Sequence, residues 1–398
     1  MAENEESIIE TTEENSVGAI RIASDVVATI ASMAAAEIPG VAGMSGADFR
    51  GMLAANGITM DAEATLSDLR ITGRAPRAKL PLLMRALLSL SDARQPDREA
   101  FDLYRQSEAL RLELEARSVQ SVNALMDSIL HPDFFYTGRK RMESLQDDLP
   151  QRAEQYFASL FDKVGDGVFV FLGDLPENEL KKELCRTLGD FHVSGVRAQR
   201  PRVEKRSATG LTTRTAEAAP GVLGGGEVGV NVAMSAAIPF NLQTHMAFQV
   251  ACDLLGRRLA AALAEQGASA EVSGEWELFP DERLTLYINC RPRPEACLPP
   301  GIFPADPTAL LDTVRSVMRT PADLPPEYIN ACKDLLLQQM EDRMCDPGAL
   351  LGDVLTRYSE GKDLVTGYKA AIQGVDAGQV ARILGLLADG ARVEYLII

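Results

Sequence analysis

The sequence predicts an α+β fold made of two similar modules, each an antiparallel-rich sheet covered by helices. Three observations carry that prediction. Segments with period-two alternation (ITMDAEAT, SDLRITGR, SAEVSGEWELF and ERLTLYINC) fall in two adjacent pairs, one pair in each half of the chain. Helix-like, largely amphipathic stretches follow each pair. The order of paired strands, several helices and a closing apolar run then recurs in the second half. A length of 398 residues has room for two or three domains.

Residues 1–16 hold six glutamates and no basic residue, and read as a disordered acidic tail. The first module is expected over 17–192. From Ala23 to Ala36, Ser24 or Asp25 can cap a helix whose apolar face is Val26, Val27, Ile30 and Met33. Pro39-Gly40 ends it, because proline cannot donate a backbone hydrogen bond. A second short helix, ADFRGMLAA, stops at Asn56-Gly57, and the strands ITMDAEAT and SDLRITGR follow.

Residues 76–130 read as helix in two blocks. PRAKLPLLMRALLSL is strongly apolar, and the longer block is amphipathic, with Phe101, Tyr104, Leu110, Leu112 and Leu114 marking its apolar content. After the loop HPDFFYTGRKR come a helix, DLPQRAEQYFASLFDKV, a short apolar run, VFVFLGD, read as a buried strand, and a helix, PENELKKELCRTLGDF. Residues 193–225, rich in Gly, Pro, Thr and Arg, read as an interdomain linker with one or two short strands. The second module, 226–398, opens with the strand EVGVNVAMSAA and the long helix NLQTHMAFQVACDLLGRRLAAALAEQ. The paired strands follow, joined by a Pro-Asp-Glu turn. Then come two helices separated by proline, two further helices, and a last strand, ARVEYLII.

Composition narrows the function. No apolar run approaches the roughly 20 residues of a membrane span. The segment MAENEESIIETTEENS lacks the basic start and apolar core of a signal peptide, so the expected location is the cytoplasm. A net charge of −17 argues against a nucleic-acid surface. The basic cluster Arg197, Arg200, Arg202, Lys205 and Arg206 has no interleaved aromatics for base stacking and reads as a solvated linker. The six cysteines, at 185, 252, 290, 297, 332 and 345, form no C-x-x-C and are expected as buried reduced thiols.

The three histidines decide most. A zinc hydrolase helix presents two ligands one turn apart, as in H-E-x-x-H or H-x-x-E-H. His131, His192 and His245 are 61 and 53 residues apart, so no helix presents two of them. No G-x-S-x-G occurs. Gly224 to Gly229 matches G-x-G-x-x-G but runs into a strand-like segment rather than a helix, and reads as a hinge. Trp276 reads as a core or interface aromatic. No catalytic residue, metal ligand or cofactor is assigned.

Several segments carry a family resemblance. VFVFLGDLPENELKKELCRTLGDF is similar to a strand–Gly-Asp–helix unit that closes a module, and MESLQDDLPQRAEQYFASLFDKVGD to the helix before it. LLGRRLAAALAEQGASAEVSGEWELFP is similar to the helix and strand of a second module, and PPEYINACKDLLLQQMEDRM through VEYLII to the end of bacterial members. On these segments, residues from about 47 to 398 resemble the insulinase/pitrilysin family of zinc metallopeptidases and its inactive homologues.

The resemblance implies one half of a clamshell that encloses a peptide. In that family one half carries H-x-x-E-H and a distal Glu that bind zinc. The other lacks the metal and supplies an Arg and a Tyr, seven apart, that hold substrate. This chain resembles the metal-free half. Setting GASAEV on the family's Gly-Gly-Thr-Tyr-x-Val places Ala270 at the Tyr position and Leu263 at the Arg position; a gap of one turn would instead bring Arg257 or Arg258 nearer. The implied role is non-catalytic, with a catalytic zinc-peptidase half or a second copy of the chain as partner and a peptide as possible substrate.

A second resemblance sits at the start. GAIRIASDVVATIASMAAAEIPGVAGMSG, residues 18–46, is similar to the opening of the alkaline-shock-protein family of envelope-stress proteins. Either it marks a fusion or truncation that replaces the first strands of the module, or it is a helix and Pro-Gly turn shared by chance. The first explanation implies an alternative role as a binding or scaffold protein of the envelope-stress type. A module without its first strands would leave a sheet edge to be covered, most simply by a partner chain.

Overall fold

The computed structural model describes residues 46–64, 69–91, 98–115, 119–132, 164–187, 189, 206–218, 228–294, 297–298, 306–319 and 325–398. The chain divides into two compact units. One holds residues 1–112 and 139–203, and the other 113–138 and 204–398. The acidic tail, the Ala23–Ala36 helix, the alkaline-shock-like segment up to Ser45, His192, and the basic cluster apart from Arg206 lie outside the described residues.

Among the described residues the first unit begins with helix α1 (Gly46–Ala55) and an antiparallel hairpin, β1 (Thr59–Ala64) and β2 (Leu69–Arg74), in register from Thr59 opposite Arg74 to Ala64 opposite Leu69. Helix α1 stops where the sequence places its end. Asn56 donates its side-chain Nδ2 to the Met52 carbonyl, and Gly57 takes φ +69°, a conformation that favours glycine. Leu53, Ile58, Leu80, Met84 and Ala86 are buried. Helices α2 (Leu80–Ser91), α3 (Arg98–Glu115) and α5 (Glu177–Thr187) follow; α2 packs against α5, and Arg77, just before α2, pairs with Glu179 at 2.7 Å.

Two expectations change here. The long amphipathic block contains two helices, α3 and α4 (Val119–Leu130), and α4 belongs to the second unit. The run VFVFLGD is in no strand among the described residues, and Val168, Phe169 and Leu172 are exposed. An apolar run forms a strand only where a neighbouring strand takes its backbone groups, and periodicity alone cannot supply that neighbour.

The second unit carries a five-stranded sheet in the order β3-β7-β4-β6-β5, with β3 and β7 parallel and the other pairs antiparallel. The strands are β3 (Leu211–Ala216), β4 (Gly229–Ala237), β5 (Ala268–Glu277), β6 (Arg283–Pro292) and β7 (Ala391–Ile397). β3 therefore lies inside the segment read as a linker, at one edge of the sheet. β4 and β6 are central and buried on both faces, so the polar residues of their alternating sequences, Asn231, Ser235, Arg283, Thr285 and Asn289, are buried as well.

The two sheet faces are covered differently. Val230, Val232, Met234, Leu284, Leu286, Ile288 and Leu396 face the helices α6 (Leu242–Ala264), α7 (Pro307–Arg319), α8 (Pro326–Cys345) and α11 (Ala377–Asp389). Ala233, Tyr287, Val393 and Ile397 face α4, which buries Val122, Met126 and Leu130 against them. Helix α6 approaches β5 closely because Gly274 has no side chain. A Cβ there would stand 2.5 Å from the Phe248 ring and 2.7 Å from Cys252 Sγ. Between α8 and α11 stand α9 (Pro347–Glu360) and the short α10 (Tyr368–Gln373), so three helices occupy a stretch read as two. All six cysteines are free. Cys252, Cys290 and Cys332 are buried as expected, whereas Cys185 of the first unit and Cys297 and Cys345 of the second are exposed.

Candidate functional site

The sequence placed two family positions on helix α6 and strand β5. Leu263 is fully buried in the helix–sheet core, and Ala270 is partly buried against the same core. Arg257 forms a surface pair with Asp253 at 2.9 Å, one turn away on α6. None of these positions gathers other polar groups from distant elements into an open site among the described residues, except that Cys332 lies beside the Asp253–Arg257 pair. Burial pushes that thiol up to about 12, so it stays protonated and unreactive.

A richer arrangement lies at the opposite end of α6, about 27 Å along the helix axis from Leu263. Asn241 caps the helix, its side-chain oxygen accepting from Gln243 N at 2.8 Å and Thr244 N at 3.4 Å. That cap fixes Phe240 just before the helix and His245 in its first turn. Trp276 reaches them from the end of β5. The Phe240 and Trp276 rings meet edge-on with centroids 5.1 Å apart, His245 and Trp276 are 5.3 Å apart, and Phe240 and His245 6.0 Å.

Charged groups frame this aromatic trio. Glu282, in the β5–β6 turn, accepts from the Phe240 backbone N–H and pairs with Lys362, whose Nζ stands 5.5 Å from the Phe240 ring centroid. The Lys362 and Phe240 hydrogen bonds hold the Glu282 carboxyl below its usual range. Arg343 at the end of α8 grips Asp353 of α9 through two bonds, Nε to Oδ2 at 2.8 Å and Nη2 to Oδ1 at 2.6 Å. Burial, opposed by Asp353 and assisted by Arg343, lowers His245 to about 4, so the ring is neutral near pH 7. His245 Nδ1 and Trp276 Nε1 are both buried without a hydrogen-bond partner.

Such an arrangement offers apolar faces, a neutral imidazole nitrogen and an indole donor within one cluster. It holds no nucleophile–base pair. The histidine–serine pair elsewhere, His131 Nδ1 and Ser207 Oγ at 3.1 Å, has His131 buried where Ala208 N donates to the Leu130 carbonyl, and it joins α4 to the segment before β3. Among the described residues no three His, Cys, Asp or Glu side chains group as metal ligands. Sequence reasoning singled out Trp276 and His245 separately. Their meeting depends on how α6 packs on β5, which no local pattern states.

No family model and no curated protein sequence matches the chain. Its fold is nonetheless shared with solved proteases. The periplasmic protease PqqL from Escherichia coli superposes with a TM-score of 0.66 at 15% identity over 96% of this chain and 42% of that one. A mutant of the ferredoxin protease FusC, solved in complex with Arabidopsis ferredoxin, gives 0.65 at 14% identity, again over 96% of this chain and 42% of that one. A protease from Helicobacter pylori gives 0.65 at 12% identity over 95% of this chain and 92% of that one. The chain thus spans less than half the length of PqqL and FusC and nearly all of the shorter protein. At these identities the likeness shows the fold, an α+β fold of peptidases.

Proposed function

We propose that this chain is a non-catalytic homologue of the insulinase/pitrilysin-type zinc peptidases. In this reading it forms the metal-free half of a peptide-enclosing clamshell with a catalytic half, works in the cytoplasm, and offers the Phe240–His245–Trp276 cluster to peptide. The observation that carries the reading is a peptidase fold in a sequence whose three histidines are too far apart to build H-x-x-E-H. The span of 42% of PqqL and FusC supports a half-molecule that needs a complement.

Metal analysis and partner exchange test it together. After dialysis against zinc the chain should retain far less than one zinc per molecule and cleave no peptide alone. Mixed with a catalytic half that carries H-x-x-E-H, it should form a stable one-to-one complex with raised peptidase activity. One tightly held zinc per chain with EDTA-sensitive cleavage by the chain alone would overturn the proposal.

A further inference from the structure

Strand β7 carries two charged residues, Arg392 and Glu394, on the helix-covered face of the sheet, where Leu396 joins the apolar core. Glu394 is fully buried. Its carboxylate is saturated by Arg315 of α7, with Nε on Oε1 at 3.1 Å and Nη2 on Oε2 at 2.6 Å, and Thr213 of β3 adds a long contact at 3.5 Å. A second guanidinium shares that one carboxylate. Arg392 Nη2 pairs with Oε1 at 2.5 Å, while the Arg392 Nε is buried without a hydrogen-bond partner.

Cation outweighs anion here. Arg319 lies one turn beyond Arg315 on α7, exposed, and forms no ion pair among the described residues. Among the described residues the other acid paired here is exposed Asp312, already 3.4 Å from Arg315 Nη1. Burial, and then the charges of Arg315 and Arg319 acting against Glu394, lower the Arg392 pKa. A guanidinium with a buried N–H left without a partner costs free energy that an incoming anion would recover. Arg392 keeps 19% of its side-chain surface and Arg315 33%, so the cluster is reachable from solvent beside edge strand β3.

We propose that Arg392, Arg315 and Arg319 form an anion-binding site at the β3 edge of the sheet, taking the carboxylate of an acidic residue in a peptide. Glu394 already shows that these guanidinium groups accept a carboxylate together, and the unpartnered Arg392 Nε with the exposed Arg319 provides for a second one. The site is separate from the aromatic cluster and does not depend on its role.

Calorimetric titration at low salt tests it with three probes: the capped peptide Ac-Gly-Glu-Gly-NH2, its Gln counterpart, and inorganic phosphate. The Glu peptide should bind saturably and the Gln peptide at least tenfold more weakly. Arg392→Gln should weaken the Glu peptide about tenfold, and Arg319→Gln, which alters only an exposed side chain, about threefold. Saturable phosphate binding without Glu-peptide binding would overturn the carboxylate assignment. No saturable binding of any probe, or Glu-peptide binding unchanged in both variants, would overturn the site.

Discussion

Tyr287 Oη donates to Asp127 Oδ1 at 2.7 Å, joining the central strand β6 to helix α4. One turn earlier on α4, Asn123 Oδ1 accepts from Asn289 Nδ2 at 3.2 Å. These two polar contacts accompany the fully buried Val122, Met126 and Leu130, so α4 is held by apolar burial and aligned by hydrogen bonds. Burial pushes the Tyr287 hydroxyl's pKa up, so it stays a donor throughout the neutral range.

Tyr287→Phe should therefore destabilise the second unit by about 1–2 kcal/mol, the usual range for removing one partner of a buried hydrogen bond. Urea unfolding checks this through a lower midpoint at unchanged slope. An unmoved midpoint would mean that the Tyr287–Asp127 bond contributes nothing to holding α4.

Glu394 makes the second unit sensitive to acid. Burial raises the pKa of this carboxyl, but the Arg315 hydrogen bonds and the charges of Arg392 and Arg315 outweigh burial, and the net direction is down. A carboxyl whose folded pKa is lowered contributes stability above its unfolded pKa, roughly 4.3, and loses it as pH falls through the lower folded value. Glu394→Gln leaves Arg315 and Arg392 without their carboxylate and should cost about 3 kcal/mol at pH 7. The same variant should lose less stability than the parent as pH falls below about 4.3. Parallel pH profiles would refute the assignment.

His245 titrates in a different window. Its folded value is about 4, held down by burial, against about 6.5 for an unfolded histidine. The unfolded state therefore binds more protons between these values. Stability is fully present above about 6.5 and falls as pH drops toward 4, by on the order of 2–3 kcal/mol. His245→Phe keeps the aromatic packing and should flatten that decline. Trp276, the single tryptophan, reports the same event, since a protonated imidazole 5.3 Å away quenches indole emission. Quenching centred near pH 6.5 would show that His245 is solvated.

Gly274 limits how closely α6 can sit on β5. Gly274→Ala places a methyl 2.5 Å from the Phe248 ring and 2.7 Å from Cys252 Sγ, both on a fully packed helix. The expected cost is about 1–3 kcal/mol, with a shift in Trp276 emission because α6 and β5 also carry the aromatic cluster. A thermal midpoint equal to the parent's would mean that the helix moves away without loss.

Much of this fold was legible because its elements are marked locally. SDLRITGR and SAEVSGEWELF alternate, and Asn56-Gly57 ends a helix where its residues say it should. Three features were not legible, for one reason. The destination of α4, the fate of VFVFLGD and the meeting of Phe240, His245 and Trp276 each depend on a partner distant in sequence. An amphipathic stripe shows that a helix buries a face, not which sheet receives it. Glu394 was hidden likewise, because in VEYLII a glutamate reads as solvent-facing until Arg315 is placed opposite it.

The peptide-binding reading of the aromatic cluster has a direct reporter in Trp276. A peptide that places an aromatic side chain against Phe240 and Trp276 should shift tryptophan emission saturably, since the indole N–H is buried without a partner and would gain one. With a fluorescein-labelled peptide followed by anisotropy, Trp276→Ala should weaken binding about tenfold, the loss typical of one aromatic anchor. Lys362→Met, which removes the cation near Phe240 and leaves the Trp276 anchor intact, should weaken it less than about threefold. Equal affinity of parent and Trp276→Ala would place the peptide elsewhere on the chain.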